Sequence, residues 1–263
     1  MSLDTGSNAE IGSLVHSREE PIIGLSGVSV KYRVPRERVG TFKEYGIRLL
    51  RGERIGYNEF WALRDVTFEV CRGELFGIVG RNGAGKSTLL KVVARVLQPT
   101  VGRVWVKGRV APLLELGAGF HPELTGRENV FLNGTLLGRS KREIAKRFDE
   151  ILAFAEIGDF IEAPMRTYSS GIVARLGFAT AMAWEPDVLI LDEVLAVGDA
   201  AFQEKCKERI KEFRGNGTTI LLVSHAASIV ASMCDRAVWL HRGAVKAIGP
   251  AHEVATAYAQ AEG

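Results

Sequence analysis

Cysteine is scarce in this chain. Three residues among 263, at Cys71, Cys206 and Cys234, are too few and too widely spaced for a disulfide framework. No Cys-x-x-Cys pair offers a metal site, and the usage fits a reducing cytoplasm. Long apolar runs are missing as well: no stretch reaches the roughly 18 residues needed to span a bilayer as a helix. The N-terminus lacks a secretory signal pattern, because Asp4, Glu10, Glu19 and Glu20 interrupt it. Excess charge of one sign is also absent. The formal net charge of +3 is too slight to argue for a nucleic-acid partner. No internal repeat is found. Residues 1–20 are polar and expected to be flexible. What remains is material for one sizeable α/β domain.

The chemistry concentrates in three segments. Glu74-Leu75-Phe76-Gly77-Ile78-Val79 is a short apolar run that reads as a buried strand. Behind it, Gly80-Arg81-Asn82-Gly83-Ala84-Gly85-Lys86-Ser87-Thr88 fits G-x-x-x-x-G-K-[ST]. Leu89 to Leu97 then carries apolar residues suited to a packed helix. Strand, glycine loop and helix form the context that a phosphate loop needs. Gly80, Gly83 and Gly85 allow backbone conformations and close approaches that a Cβ would obstruct. Loop N–H groups and the helix start then converge on phosphate oxygens. Lys86 is expected to reach the β- and γ-phosphates, and Ser87 to place its hydroxyl on Mg²⁺.

Asp187 to Leu191 is a second buried-strand run, and it ends in Asp192-Glu193. Asp192 at the strand tip is expected to hold Mg²⁺, partly through water. Glu193 is the candidate to polarise a water aimed at the γ-phosphate. His225 follows the strand Thr219–Val223, where an imidazole can bond the γ-phosphate or orient the attacking water.

Between these segments stands Tyr168-Ser169-Ser170-Gly171, followed by a small and apolar stretch from Ile172 to Trp184 that reads as a helix. Together these residues resemble the nucleotide-binding domain of ABC transporters, over about Ile22 to Tyr258. The resemblance implies a P-loop ABC-type ATPase fold: an α/β core, a small antiparallel β region and a helical subdomain at about 125–184. It also implies a homodimer in which Ser169, Ser170 and Gly171 of one copy, as the signature, meet the nucleotide of the other. Tyr168, Ser170 and Ile172 depart from the family's Leu-Ser-Gly-Gly-Gln. Leu195-Ala196-Val197-Gly198-Asp199 resembles the D-loop, with Asp199 as its coupling residue and Gly198 in place of the usual leucine. Tyr32 lies where the family stacks an aromatic on adenine, with Phe60 and Trp61 as rivals. The Q-loop glutamine has no direct counterpart, and Glu115 is the candidate substitute.

The segment Leu116-Gly117-Ala118-Gly119-Phe120-His121-Pro122-Glu123-Leu124-Thr125-Gly126-Arg127-Glu128-Asn129 looks like the branch of the family that exports O-antigen, teichoic acid, capsule and galactan. Tyr168–Gly171 and Asp192–Asp199 look like the same branch. That resemblance implies an ATPase using ATP and Mg²⁺, paired with a separate transmembrane permease at the cytoplasmic face of the inner membrane. The cargo would be a lipid-linked glycan. A soluble ABC-type ATPase acting in translation or on DNA is the alternative, but such proteins usually resemble tandem domains or carry long coiled coils. Some exporters of this kind add a C-terminal carbohydrate-binding domain. Gly263 comes soon after the ATPase pattern, so none is expected here.

The remaining organisation follows from periodicity. Gly102–Lys107 alternates as a strand. Ser140–Ile157 places Ile144, Phe148, Ile151, Leu152 and Ala155 near one helical face. Asp199–Phe213 reads as a helix, Ala237–Ile248 as a hairpin turning at Arg242-Gly243, and Ala251–Ala261 as a final helix. Residues 33–60 form an insertion rich in arginine. Within it, Phe42, Tyr45 and Leu49 have helical spacing, with Leu50 alongside. Such a basic amphipathic helix suits a membrane interface, a partner's cytosolic surface or its own domain.

Overall fold

A computed structural model of the chain describes residues 20–35, 57–113, 117, 119–192 and 198–262. Two sheets organise it. The first is antiparallel, with β1 (Pro21–Pro35) between β2 (Tyr57–Cys71) and β4 (Val101–Val106). The second runs in the order β5-β6-β7-β3-β8-β9, from β5 (Val110–Leu113), β6 (Val188–Asp192), β7 (Thr219–Val223), β3 (Leu75–Val79), β8 (Arg236–His241) and β9 (Ala244–Pro250). All neighbours in it are parallel except β8 and β9. Strands β3, β6 and β7 are buried along nearly their whole length. That is why they read as apolar runs rather than alternations.

Helix α1 (Lys86–Val93) lies between the two sheets, and Leu89, Leu90, Val92 and Val93 join a core with Ile23, Val66, Ile78 and Leu221. It is shorter than its apolar pattern predicts. The chain turns at Arg95, whose φ is 59, and the amides of Val96 and Leu97 fold back on the Lys91 carbonyl. A helical subdomain comprises α2 (Gly126–Leu136), α3 (Lys141–Ala155) and α4 (Ser170–Ala181). Its own core gathers Val130, Ile144, Phe148, Ile151 and Leu176. Helix α3 buries Ile144, Phe148, Ile151 and Ala155, the predicted face, while Leu152 packs at its edge.

Helix α5 (Ala200–Gly215) packs Phe202, Cys206, Ile210 and Phe213 under the second sheet. Helix α6 (Ala227–Met233) packs on β3 and helix α7 (Ala251–Glu262) on β8, with Val230, Tyr258 and Trp239 in one cluster. No described helix is long and apolar enough to cross a membrane.

Two features refine the sequence reading. The ends of the 33–60 insertion continue the β1–β2 ladder, with Arg33 opposite Glu59 and Pro35 opposite Tyr57. The basic helix expected around Phe42, Tyr45 and Leu49 lies outside the described residues. Helix α2 has no separate prediction behind it. It begins with a capping box in which the Thr125 hydroxyl accepts from Glu128 N and the Glu128 carboxylate accepts from Thr125 N.

Candidate functional site

In a parallel sheet, the strands end at one edge. Strand β3 runs straight into the phosphate loop, β6 delivers Asp192, and β7, which lies between them, leads through Ser224 to the exposed His225. The order of the strands therefore sets the three motifs side by side.

The loop surrounds a cavity of about 390 Å³ lined by Asn82, Gly83, Gly85, Lys86, Ser87 and Thr88, with Asp192 on one side and Tyr32, Phe60 and Ala62 on another. The Lys86 ammonium is buried and donates to the carbonyls of Gly80 at 2.6 Å and Arg81 at 3.2 Å. Gly85 caps α1 from the left-handed region, with φ 104, and a Cβ there would stand 2.6 Å from the Ala62 carbonyl. The first turn of α1 holds no acidic residue, so nothing in that turn competes with an anion for its N-terminus. Gly80 and Ala84 form the back of the loop: a Cβ on Gly80 would strike the Leu240 carbonyl, and Ala84 is buried. Arg81 is exposed.

The β8–β9 turn braces this loop, a contact that sequence alone does not announce. Arg242 and Gly243 both have positive φ, the conformation of a two-residue hairpin turn. Gly243 N donates to Ala84 O at 2.9 Å, and Gly243 O accepts from Arg64 N at 2.8 Å. The hairpin thus ties the phosphate loop to β2.

Among the aromatic candidates, Tyr32 and Phe60 sit directly opposite each other on β1 and β2, and both line the cavity. Trp61, the next residue along β2, carries the Lys31 ammonium 5.3 Å from its ring centroid and does not line the cavity. Residues directly opposite in a ladder share a face and successive residues alternate. The geometry thus separates Trp61 from the other two but leaves Tyr32 and Phe60 together.

Ser169, Ser170 and Gly171 are not part of this cavity. They head α4, where Ser169 Oγ accepts from Ile172 N at 3.3 Å as the N-cap. A Cβ on Gly171 would meet only Ser169 Oγ, at 3.8 Å, so the chain's own packing does not require glycine there. Tyr168 has an internal purpose. Its hydroxyl donates to the Phe160 carbonyl and occupies the space a side chain at Gly126 would need. Burial pushes its pKa up.

The unusual segment before α2 is built around Asn129, which is fully buried. Its Nδ2 donates to His121 O, Leu124 O and Thr125 O at 3.0, 3.1 and 2.9 Å, and its Oδ1 accepts from His121 N at 2.6 Å. Gly117, with φ 82, lets this segment approach the signature helix; a Cβ there would come within 2.8 Å of Val173.

Asp199 caps α5 through Oδ1, which accepts from Phe202 N at 2.9 Å, and Oδ2 pairs with Arg175 at 2.7 Å. The Phe202 amide and then the Arg175 charge hold its pKa below the usual carboxylate value. Arg175 belongs to α4, six residues beyond Ser169. Its guanidinium also reaches Glu156 at 3.4 Å and lies over the Phe202 ring. It is a partner of Asp199 that motif reading passed over, because an arginine on a helix looks like any solvated charge. Gly198 has φ 74 and faces Phe202, which accounts for glycine where the related pattern has leucine. Glu193 and Glu115 lie outside the described residues.

The family model described as ABC transporter matches residues 63–196. The O-antigen export system ATP-binding protein RfbB of Klebsiella pneumoniae is 47% identical over 248 residues, covering 92% of this chain and 99% of that protein. The teichoic acids export ATP-binding protein TagH of Listeria monocytogenes is 45% identical over 236 residues, covering 90% of this chain and 69% of that protein. Among solved structures, an ATP binding subunit of an ABC transporter superposes with TM-score 0.69 at 25% identity, covering 90% of this chain and 93% of that one. A dimeric ATP-binding cassette bound to ADP and Pi in a post-hydrolysis state gives TM-score 0.67 at 23% identity, covering 87% of this chain and 98% of that one, a likeness of fold.

Proposed function

This chain belongs to the ABC transporter family, and from that premise we propose that it is the ATP-hydrolysing subunit of an exporter of a lipid-linked cell-surface polysaccharide. The observation that carries the reading is the agreement, over nearly the full length of both chains, with an O-antigen export ATP-binding protein. The phosphate-loop cavity supports the ATPase half of it.

In this reading Lys86 neutralises charge on the β- and γ-phosphates, and the N-terminus of α1 adds its partial positive charge. Ser87 and Asp192, which line one cavity, are suited by their oxygen donors to Mg²⁺ accompanying the nucleotide. Tyr32 or Phe60 supports the adenine. Glu193 accepts a proton from the attacking water, and His225 orients that water. Ser169, Ser170 and Gly171 present a helix start and a bare backbone to the nucleotide of a second copy. That role supplies the reason for glycine at 171 that the chain's own packing lacks. Two copies therefore form a homodimer around two ATP molecules. Asp199 and Arg175 link the D-loop to the signature helix.

The permease is a separate membrane-spanning chain. Its cytosolic segment docks between the stretch that includes Glu115 and the helical subdomain, and so holds this subunit at the cytoplasmic face of the inner membrane. The basic segment within residues 33–60 guides the lipid-linked glycan. The test is capture of tagged Glu193→Gln protein from detergent-solubilised native membranes in ATP and Mg²⁺. Co-purification of a polytopic membrane protein encoded beside glycan-synthesis genes is the expected result. Recovery of ribosomes, DNA or soluble proteins alone would reject the exporter reading.

A further inference from the structure

A second cavity, of about 310 Å³, lies far from the phosphate loop and collects arginine. Its walls come from the end of α1, the approaches to β5 and β6, the α2–α3 connection and the end of α4. Strands β5 and β6 begin here, whereas the phosphate loop follows the end of β3, so the cavity opens at the opposite edge of the sheet.

Three arginines, Arg95, Arg109 and Arg139, line it beside Trp184, Leu137 and Pro186. Arg95, whose φ is 59, donates to the Val106 carbonyl. Arg139 lies over the Trp184 ring, its guanidinium carbon 5.2 Å from the centroid. Among the described residues, no carboxylate pairs with any of the three guanidiniums. The nearby acids are engaged otherwise. Glu143 accepts from Ser140 N and Oγ at 2.9 and 2.6 Å, and Asp187 accepts from the backbone N–H of Arg109 at 2.7 Å and stands 3.7 Å from Arg72. Burial and the neighbouring Arg109 charge push the Arg139 pKa down, with Glu143 offsetting part of the effect. Arginine does not shed its proton in a protein, so a bound anion is the available relief for this repulsion.

We propose that this cavity binds a phosphorylated ligand, a phosphate or diphosphate monoester whose oxygens engage the three arginines and whose remaining part lies along Trp184 and Leu137. A lone carboxylate can satisfy one guanidinium in a forked pair. A phosphoryl group offers three acceptor oxygens and up to two charges, and a diphosphate more. The volume lies at the small end of ligand pockets, about 300–1,000 Å³. Arg95 and Arg109 belong to the core and Arg139 to the helical subdomain. The ligand would therefore bridge the sheet core and the helical subdomain.

Inorganic pyrophosphate is the probe, titrated calorimetrically and by tryptophan fluorescence into the full chain carrying Lys86→Ala, which disables the phosphate loop. Binding should persist in that protein and weaken by about tenfold or more when Arg109→Gln and Arg139→Gln are added. Trp184→Phe should remove the fluorescence change and leave the heat of binding. Circular dichroism and melting of each variant without pyrophosphate separate loss of the site from loss of fold. Should the paired arginine variant melt early, Arg109→Gln alone, on an exposed residue, decides the question.

Sedimentation with phosphatidylcholine vesicles containing phosphatidic acid distinguishes the source. Arginine-dependent capture identifies a lipid headgroup, and pyrophosphate binding without it identifies a soluble ligand. Absence of arginine-dependent binding to both probes overturns the proposal.

Discussion

At the scale of single residues, the phosphate loop shows two different uses of glycine. Gly83 has φ 80 and no atom within 4 Å of an added Cβ, so an alanine there meets only backbone strain. Gly83→Ala should lower stability by about 1–2 kcal/mol, the cost of a left-handed L-residue. Gly80→Ala, which drives a methyl into the Leu240 carbonyl, should cost more. Urea denaturation of the two variants checks the order. The cysteines give a pH test. Burial pushes the thiols of Cys206 and Cys234 up to about 12 from an ordinary 9. Above pH 9 the unfolded chain sheds these protons while the folded one keeps them, so stability should fall from pH 9 toward 12. At pH 8 both thiols should react slowly with a thiolate-selective reagent in the native protein and rapidly in denaturant. Equal rates in the two states would place them at the surface.

At the scale of elements, polar side chains near helix ends hold neighbouring segments in place. Asn129→Ala removes four hydrogen bonds and leaves three buried or half-buried carbonyls without this donor. It should destabilise by about 2–4 kcal/mol, since unsatisfied buried groups cost more than the bond itself contributes. Thermal melting checks it, and an unchanged melting temperature would show that the segment before α2 holds without Asn129. Arg175→Met keeps an unbranched stem and loses both the Asp199 pair and the charge over Phe202. It should spare ATP binding and lower turnover, read as kcat against nucleotide affinity. A parallel loss of both would make Arg175 a general structural residue.

These contacts also mark the limit of what the sequence reveals. Buried strands β3, β6 and β7 and the amphipathic α3 were legible because burial imposes an unmistakable apolar pattern on each. The phosphate loop was legible because its glycines, lysine and hydroxyl residue fall at the fixed spacing that phosphate binding needs. Helix α2 has no strong apolar stripe, and its signal was the Thr125 and Glu128 box alone. The bracing of the loop by Gly243, like the Arg175 to Asp199 pair, is set by residues 159 and 24 positions apart (243 − 84 and 199 − 175). No local pattern encodes such pairings.

At the scale of the whole molecule, the separation of the motifs within one chain is itself the argument for a dimer. The cavity formed by Lys86, Ser87 and Asp192 is not lined by Ser169, Ser170 or Gly171, which present an exposed helix start elsewhere. If the signature acts on the nucleotide of a second copy, two defective variants should repair each other. Lys86→Ala spoils the phosphate loop of its own chain, and Ser169→Arg spoils the signature it offers its partner while leaving its own phosphate loop intact. Each homodimer then has two damaged sites. A mixed dimer has one site carrying both lesions and one carrying neither. An equal mixture should therefore recover on the order of a quarter of the wild-type ATPase rate, given random exchange of subunits in a two-fold assembly. Each variant alone should stay near background. If loop and signature served one nucleotide within a single chain, every chain in the mixture would carry a lesion, and mixing would restore nothing.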